Sequence, residues 1–565
     1  MVIRSNIYRI LILSVAIFTC CAVNAQYTWE SDAVRPIAPA YRIMDRPFII
    51  DTIIPTPNVV YPLLNRSLNT QISIDQIEAS KIKIVDKLDK LYPGYLRLGV
   101  GNYTSPIGEF YYNSGRHRKM TYGVHLNHNS SFGKIKGWAP QTYDNSNVRV
   151  FGEFRSRKLV FGAEGTYLLN GYHFYGIRDS SELISKDSLT NRVQGMNAGL
   201  RLSNYSDKDS AKLMWRATTN YMYFHEFRQN SDPFGRNARN HNYFFGAEFW
   251  YKLKIHTFKV DADVRVNRYW AAESDTTLAD AYRMDTNNTL IHVNPFVTTY
   301  LKNWKFVYGV HMYADFPSNE TPSVLPCVEA KLKMFNGLVI PYFKADGKVI
   351  QNSFYTLNRQ NKFIVGSVDL KNTRIFQLQA GFKGTLSKTM SFNVAAHFKR
   401  MNNQPLFIND TVFSDLYKFT VVYDRIDAYG GVASLSYQSG EKLKIDGIVE
   451  YNKYITDDQE FAWHMPELKI SLRGNYNLYD KLSIRADVGI EAIRKSPVYL
   501  YNPADDDIIV DLGTIVDGNL HLEYRYNKRM SVFLQLSNIG AQKYYRWYNY
   551  RVQGFQILGG ATFAF

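Results

Sequence analysis

The chain has 565 residues, of which 45% are hydrophobic, 15% aromatic and 21% charged, with a formal net charge of +16. It is too long for a disulfide-stapled miniprotein and too rich in apolar and aromatic residues for a disordered chain. Beyond the N-terminus it has no apolar run of the about eighteen residues a membrane-spanning helix needs, whereas its 42 Tyr and 34 Phe favour strands.

At the N-terminus Arg4 and Arg9 precede an apolar stretch over residues 10–18, and Val23-Asn24-Ala25 supplies the small residues of a cleavage site. Residues 1–25 are therefore expected to be a signal peptide. Cys20 and Cys21 offer a rival reading, an acylated lipoprotein, but Ile17-Phe18-Thr19 lacks the Leu and the small residue expected before an acylated cysteine. Cleavage after Ala25 leaves Cys327 as the sole cysteine, so no internal disulfide is expected. In an exported chain the basic balance points to anionic lipid head groups or acidic solutes rather than to nucleic acid.

Residues 26–93 form a second region. Pro36, Pro39, Pro47, Pro55, Pro57 and Pro62 fix φ and remove backbone donors, which predicts an extended periplasmic segment. Within it Ile77, Ile84, Val85, Leu88 and Leu91 recur at helical spacing behind Asp75 and Glu78, which resemble a capping box. A short helix is expected there, ending before Pro93-Gly94.

Over residues 94–565 the hydrophobic period becomes two. Phe376, Leu378, Ala380, Phe382 and Leu386 alternate with Gln377, Gln379, Lys383 and Thr385, and Phe392, Val394, Ala396 and Phe398 alternate with Asn393, His397 and Lys399. Such segments run roughly ten to thirteen residues, the length of a tilted strand crossing a bilayer. Short polar turns, among them residues 156–158, 254–256, 387–389, 439–441 and 527–529, alternate with longer connections such as 176–190, 351–373, 402–424 and 494–512. Short turns on one side and long loops on the other are the asymmetry of outer-membrane barrels. Roughly ten short turns imply an all-β, antiparallel transmembrane barrel of about 22 strands, from residues 95–103 to 554–565. A propeller is the architectural alternative, but Lys469, Arg473, His521, Glu523 and Arg525 put charge on one whole strand face, which suits a watery lumen.

The C-terminal residues Gln535-Leu536-Ser537-Asn538-Ile539-Gly540, Lys543-Tyr544-Tyr545 and Gly554-Phe555-Gln556-Ile557-Leu558-Gly559-Gly560, ending in Phe565, resemble the final hairpin of TonB-dependent-receptor barrels. In that resemblance Gly560, Phe563 and Phe565 match the assembly signal read by the barrel-assembly machinery, with Leu558 in place of the usual polar residue. Receptor plug domains are longer than residues 26–93, so the chain resembles the plugless, receptor-like barrels of the Bacteroidetes. Asp51-Thr52-Ile53-Ile54 resembles a TonB box, with Pro55 directly behind it.

No catalytic, cofactor or metal-ligand pattern emerges from spacing, and no enzymatic activity is expected. His125 and Asn127 face one way by period two while His128 and Ser130 face the other, so they do not converge on a nucleophile. Asp505-Asp506-Asp507 lacks spaced ligands and is expected to be a solvated tip. Tyr544, Tyr545, Trp547, Tyr548 and Tyr550 are expected to anchor the bilayer interface rather than to stack on carbohydrate. Two functions fit these features. One is an outer-membrane pore or receptor-like transporter for an unidentified solute; the other is a non-transporting barrel that scaffolds surface lipoproteins or an export complex.

Overall fold

The computed structural model describes residues 91–117, 119–177, 189–204, 212–227, 237–272, 284–316, 322–410, 417–498 and 508–565, all within the compact unit Tyr61–Phe565. The signal peptide, the proline-rich segment with its helix, Asp51-Thr52-Ile53-Ile54 and Asp505-Asp506-Asp507 lie outside the described residues.

Twenty-two antiparallel strands form one closed sheet. The first, Gly94–Gly101, pairs with the last, Gln556–Ala564, over the register Tyr95↔Ala564 to Gly101↔Leu558. An even strand number makes this possible, because the last strand then returns antiparallel to the first. The strand expected over residues 95–103 ends at Gly101, and a tight turn with Tyr103 and Thr104 at φ 60° and 49° leads into Ser105–Asn113.

The strands range from 8 residues in Gly94–Gly101 to 21 in Phe419–Ser439, so several exceed the expected length and rise well past the bilayer on the long-loop side. Residues 402–424, expected as a loop, are largely strand: Met390–Asn409 pairs with Phe419–Ser439 almost to its end. The polar run Asn402-Asn403-Gln404 is a bulge, with Asn403 at φ 55°, which lets the ladder resume beyond it. Residues 494–512 likewise contain a small hairpin, Lys495–Val498 with Ile508–Asp511.

Alternation places one apolar face outward, where Phe382 is 57% and Val394 52% exposed, while neighbouring His397 is 8% exposed against the inner wall. Exposed Trp304, Phe335, Tyr479, Tyr526 and Phe565 lie at or near the short turns, as expected of an aromatic girdle at one membrane interface. The largest buried apolar cluster sits elsewhere, at the long-loop end.

Candidate functional site

The lumen wall is a lattice of ion pairs between neighbouring strands and, for Lys399 and Glu450, across an intervening one. Glu109 receives Arg97 at 3.9 Å and His125 at 3.3 Å; Arg149 meets Glu164 at 2.8 Å, Lys399 meets Glu450 at 3.5 Å and Arg473 meets Asp487 at 2.6 Å. Arg97 and Glu109 are buried and depend on each other, whereas the exposed pairs, such as Arg149–Glu164, are worth little in stability. Their effect is to present both signs of charge to whatever occupies the lumen.

Residues 351–372 fold across the mouth. Their base is pinched where Asn352 Nδ2 donates to the Lys371 carbonyl (2.8 Å) and to Thr373 Oγ1 (2.7 Å). Ser353 then caps the helix α1 (Phe354–Gln360): its Oγ accepts from Thr356 N, and its own N donates to Thr356 Oγ1. The helix buries Phe354 and Leu357, and the Phe354 ring stacks on Tyr269 at 5.5 Å. Past the helix the chain bonds to the start of Phe419–Ser439: Phe419 N donates to the Phe363 carbonyl at 2.9 Å and Val365 N to the Phe419 carbonyl at 2.8 Å.

Phe363, 3% exposed, is the keystone of the cluster. Its ring lies 3.6 Å from Tyr550 and 6.1 Å from Tyr172, and Tyr550 lies 5.9 Å from Phe419. Tyr172 belongs to the strand Leu159–His173 and Phe419 to Phe419–Ser439, half a turn of the ring apart. A continuous row of rings thus joins opposite walls. Tyr544, Trp547 and Tyr550 are buried in the mouth, which corrects their expected place at the bilayer interface: these three rings turn inward because the row offers them a dry surface. Arg494 holds them from below, donating to the carbonyls of Tyr545 (3.0 Å) and Arg546 (3.3 Å).

Beside the bridge opens a recess of about 710 Å³ lined by Asn287, Asn288, Asp315, Asn372, Arg374 and Asn402 among others. Asp315 accepts from Asn288 Nδ2 at 2.9 Å and Asn372 Nδ2 at 2.6 Å. Its wall of amides and charges suits hydrogen bonding to a polar solute.

Lys362 adds a titratable element to the bridge. Its ammonium lies over the rings of Tyr143, Tyr172 and Phe363 at 5.1–5.8 Å, and these faces replace water only in part. Burial lowers its pKa from 10.5 to about 8. Between those values the docked segment binds fewer protons than an undocked one, so docking strengthens as pH rises through this window and is weakest below it. Protease cleavage within residues 354–368 of the purified protein should therefore slow as pH rises from about 8 to 10, and show no such dependence in Lys362→Met.

The three C-terminal residues expected in the assembly signal gather at the closing seam. Phe565 and Gly94 exchange two backbone hydrogen bonds of 2.9 Å. Gly560 is required by close approach, since a Cβ there would lie 2.1 Å from the Leu98 carbonyl oxygen. Phe563 and Phe565 point outward with their rings 5.9 Å apart. His125 and His128 diverge as expected: His125 stacks on Tyr111 at 3.8 Å, whereas His128 bonds Ser146 Oγ at 2.9 Å on the other face.

No protein-family model and no curated protein matches this sequence. Solved structures do. The ferripyoverdine receptor of the outer membrane of Pseudomonas aeruginosa is similar at 11% identity over 85% of this chain and 72% of that one, with a TM-score of 0.62. The FrpB iron transporter from Neisseria meningitidis is similar at 12% identity over 85% and 82%, with a TM-score of 0.64. The ferric-catecholate import receptor Fiu from E. coli K12 is similar at 11% identity over 84% and 82%, with a TM-score of 0.60. The chain has the barrel fold of these receptors and transporters.

Proposed function

We propose that this chain is an outer-membrane, receptor-like transporter that passes a polar solute through a lumen closed at its outer mouth by residues 351–372. The observation that carries this reading is the row of rings from Tyr172 through Phe363 and Tyr550 to Phe419, set across a lumen wall of charged pairs. A dry gate over a wet channel is the arrangement a regulated pore needs. The fold shared with iron-complex receptors supports the class of protein and leaves the solute open. In this reading the outer wall meets lipid, Gly560, Phe563 and Phe565 engage the barrel-assembly machinery, and the chain performs no chemistry on what it carries. In the same reading residues 26–93 are periplasmic, and Asp51-Thr52-Ile53-Ile54 would meet TonB there.

Conductance of the purified protein in a planar bilayer tests the proposal. Rare openings that become frequent when residues 354–368 are replaced by a Gly-Ser linker are expected. A lumen that conducts in neither form favours the second reading, a non-transporting scaffold for surface lipoproteins. That reading draws on the bridge being packed like a protein core, with Tyr550, Phe354 and Ile364 fully buried.

Sidedness has its own test. An epitope inserted between Gly540 and Ala541, which are exposed at the long-loop end, should be stained on intact cells, and one at Lys388 should need permeabilised cells. Staining of Lys388 alone would invert the orientation.

A further inference from the structure

Three neighbouring strands bring an imidazole, a thiol and a carboxylate to one point of the inner wall. Cys327 on Ser323–Leu332 directly opposes Asp346 on Ile340–Ile350, and on its other side it opposes Gly309 on Trp304–Phe316. Because Gly309 carries no side chain, His311, two residues further on and on the same face, reaches Cys327 diagonally. One ligand atom from each of His311, Cys327 and Asp346 lies within 4.8 Å of the others. All three sit at mid-height on their strands, and outward-facing Val310 and Met312 flank His311.

The neighbouring side chains show which atom of each group is left facing that point. His292 Nδ1 lies 2.7 Å from Asp263 Oδ1, and Arg265 Nε holds the other Asp263 oxygen at 2.8 Å. A carboxylate only accepts, so His292 presents an Nδ1 proton to Asp263, and its other ring nitrogen, Nε2, faces the His311 ring. That atom is 3.0 Å from His311 Nδ1, so one proton lies between the two rings. With Nδ1 so engaged, His311 Nε2 is the ring nitrogen that faces Asp346 Oδ1, 3.4 Å away. Lys344 occupies the other oxygen, Oδ2, at 3.1 Å. A ring nitrogen, a carboxylate oxygen and a thiol thus face one point of the wall, where a metal ion or a proton can sit.

We propose that His311 Nε2, Cys327 Sγ and Asp346 Oδ1 form a binding site for a divalent transition-metal ion of the zinc class on the lumen wall. One nitrogen, one sulfur and one oxygen suit that class, whereas calcium and magnesium take oxygen alone. Three protein ligands leave the fourth position open to the lumen, for water or for a donor on a passing solute. Binding displaces the Cys327 thiol proton to solvent, and any proton on His311 Nε2 with it. The Asp263–His292 pair orients His311 in the way outer carboxylate–histidine partners orient metal-ligating imidazoles. Sequence spacing conceals the set, because its members lie on three strands and in no ligand motif. The site stands on its own geometry whether or not the barrel conducts.

The test uses the full chain in detergent, stripped with a chelator and titrated with Co²⁺. A single Co²⁺ giving a thiolate charge-transfer band with tetrahedral d–d absorption, displaced by Zn²⁺, is expected. Cys327→Ser and His311→Gln should abolish the band, and Asp263→Asn should weaken binding by about 10–100-fold. Zn²⁺ should also slow maleimide alkylation at Cys327, mapped by mass spectrometry, in the unsubstituted chain, which keeps the test decisive if a variant fails to fold. Absence of the band at millimolar Co²⁺, its persistence in Cys327→Ser, or alkylation indifferent to Zn²⁺ would overturn the proposal and leave a proton as the cation between His311 and Asp346.

Discussion

Deleting Phe565, or replacing it with Asp, is expected to strip most of this barrel from the outer membrane. The two 2.9 Å backbone bonds between Phe565 and Gly94 are the last rung of the seam that closes the sheet. Each is worth about 0.5–1.5 kcal/mol net in water, and more beside lipid, where an unpaired group finds no substitute partner. The ring adds a second contribution, because it packs where a Cβ on Gly94 would stand, 2.4 Å away, and lies 6.4 Å from Phe110. Deletion removes bonds and ring together. Phe565→Leu keeps the bonds and removes the aromatic character, so it separates seam closure from recognition by the assembly machinery, and Phe565→Tyr should restore both. Heat-modifiable mobility of the folded barrel in outer-membrane fractions is the measurement. A deletion variant present at normal surface levels would mean that neither the seam nor the signal depends on this residue.

Opening the mouth is the other change with a large expected effect. Phe363 touches Tyr172 on one wall and Tyr550 on the loop that reaches the other, so truncating it interrupts the row at its middle. Phe363→Ala and Tyr550→Ala should each cost the docked arrangement about 3–5 kcal/mol, by lost burial and the cavity left behind. The two residues are in contact, so their effects will not add. Even the smaller figure shifts a two-state equilibrium by more than about a hundredfold, enough to turn rare openings into a mostly open channel. Conductance and sensitivity to large antibiotics should rise in parallel. Because the substitutions lie above the membrane-spanning part, surface abundance should hold, and a fall in abundance with unchanged conductance would make the row structural. The same recording on a chain lacking residues 73–91 asks whether the N-terminal segment adds a second barrier.

The features legible in the amino-acid sequence are those that depend on neighbours along the chain and on the next strand. A face repeating every two residues, as in Phe376 to Leu386, must point to one side of a sheet. The number of short turns sets the strand number, and an even number lets Gly94–Gly101 close antiparallel on Gln556–Ala564. The C-terminal Phe563 and Phe565 were legible for the same reason, since their outward register follows from alternation alone. Period two was weaker at the ends of strands: Asn402-Asn403-Gln404 looked like the start of a loop, because a bulge interrupts alternation without ending the ladder.

What crosses the lumen and what meets on its wall depend instead on the closed barrel. Tyr172, Phe363, Phe419 and Tyr550 come together because the ring has one diameter and residues 351–372 are long enough to span it, and no local pattern encodes a diameter. The Tyr and Trp of residues 544–550 looked like an interfacial belt, since an aromatic run has the same composition whether it faces lipid or a dry mouth. His311, Cys327 and Asp346 meet through the registers of three strands, and a slip of one residue in any of them would turn its side chain to the lipid face. Convergence of that kind depends on the pairing of whole strands, which is fixed only when the sheet has closed.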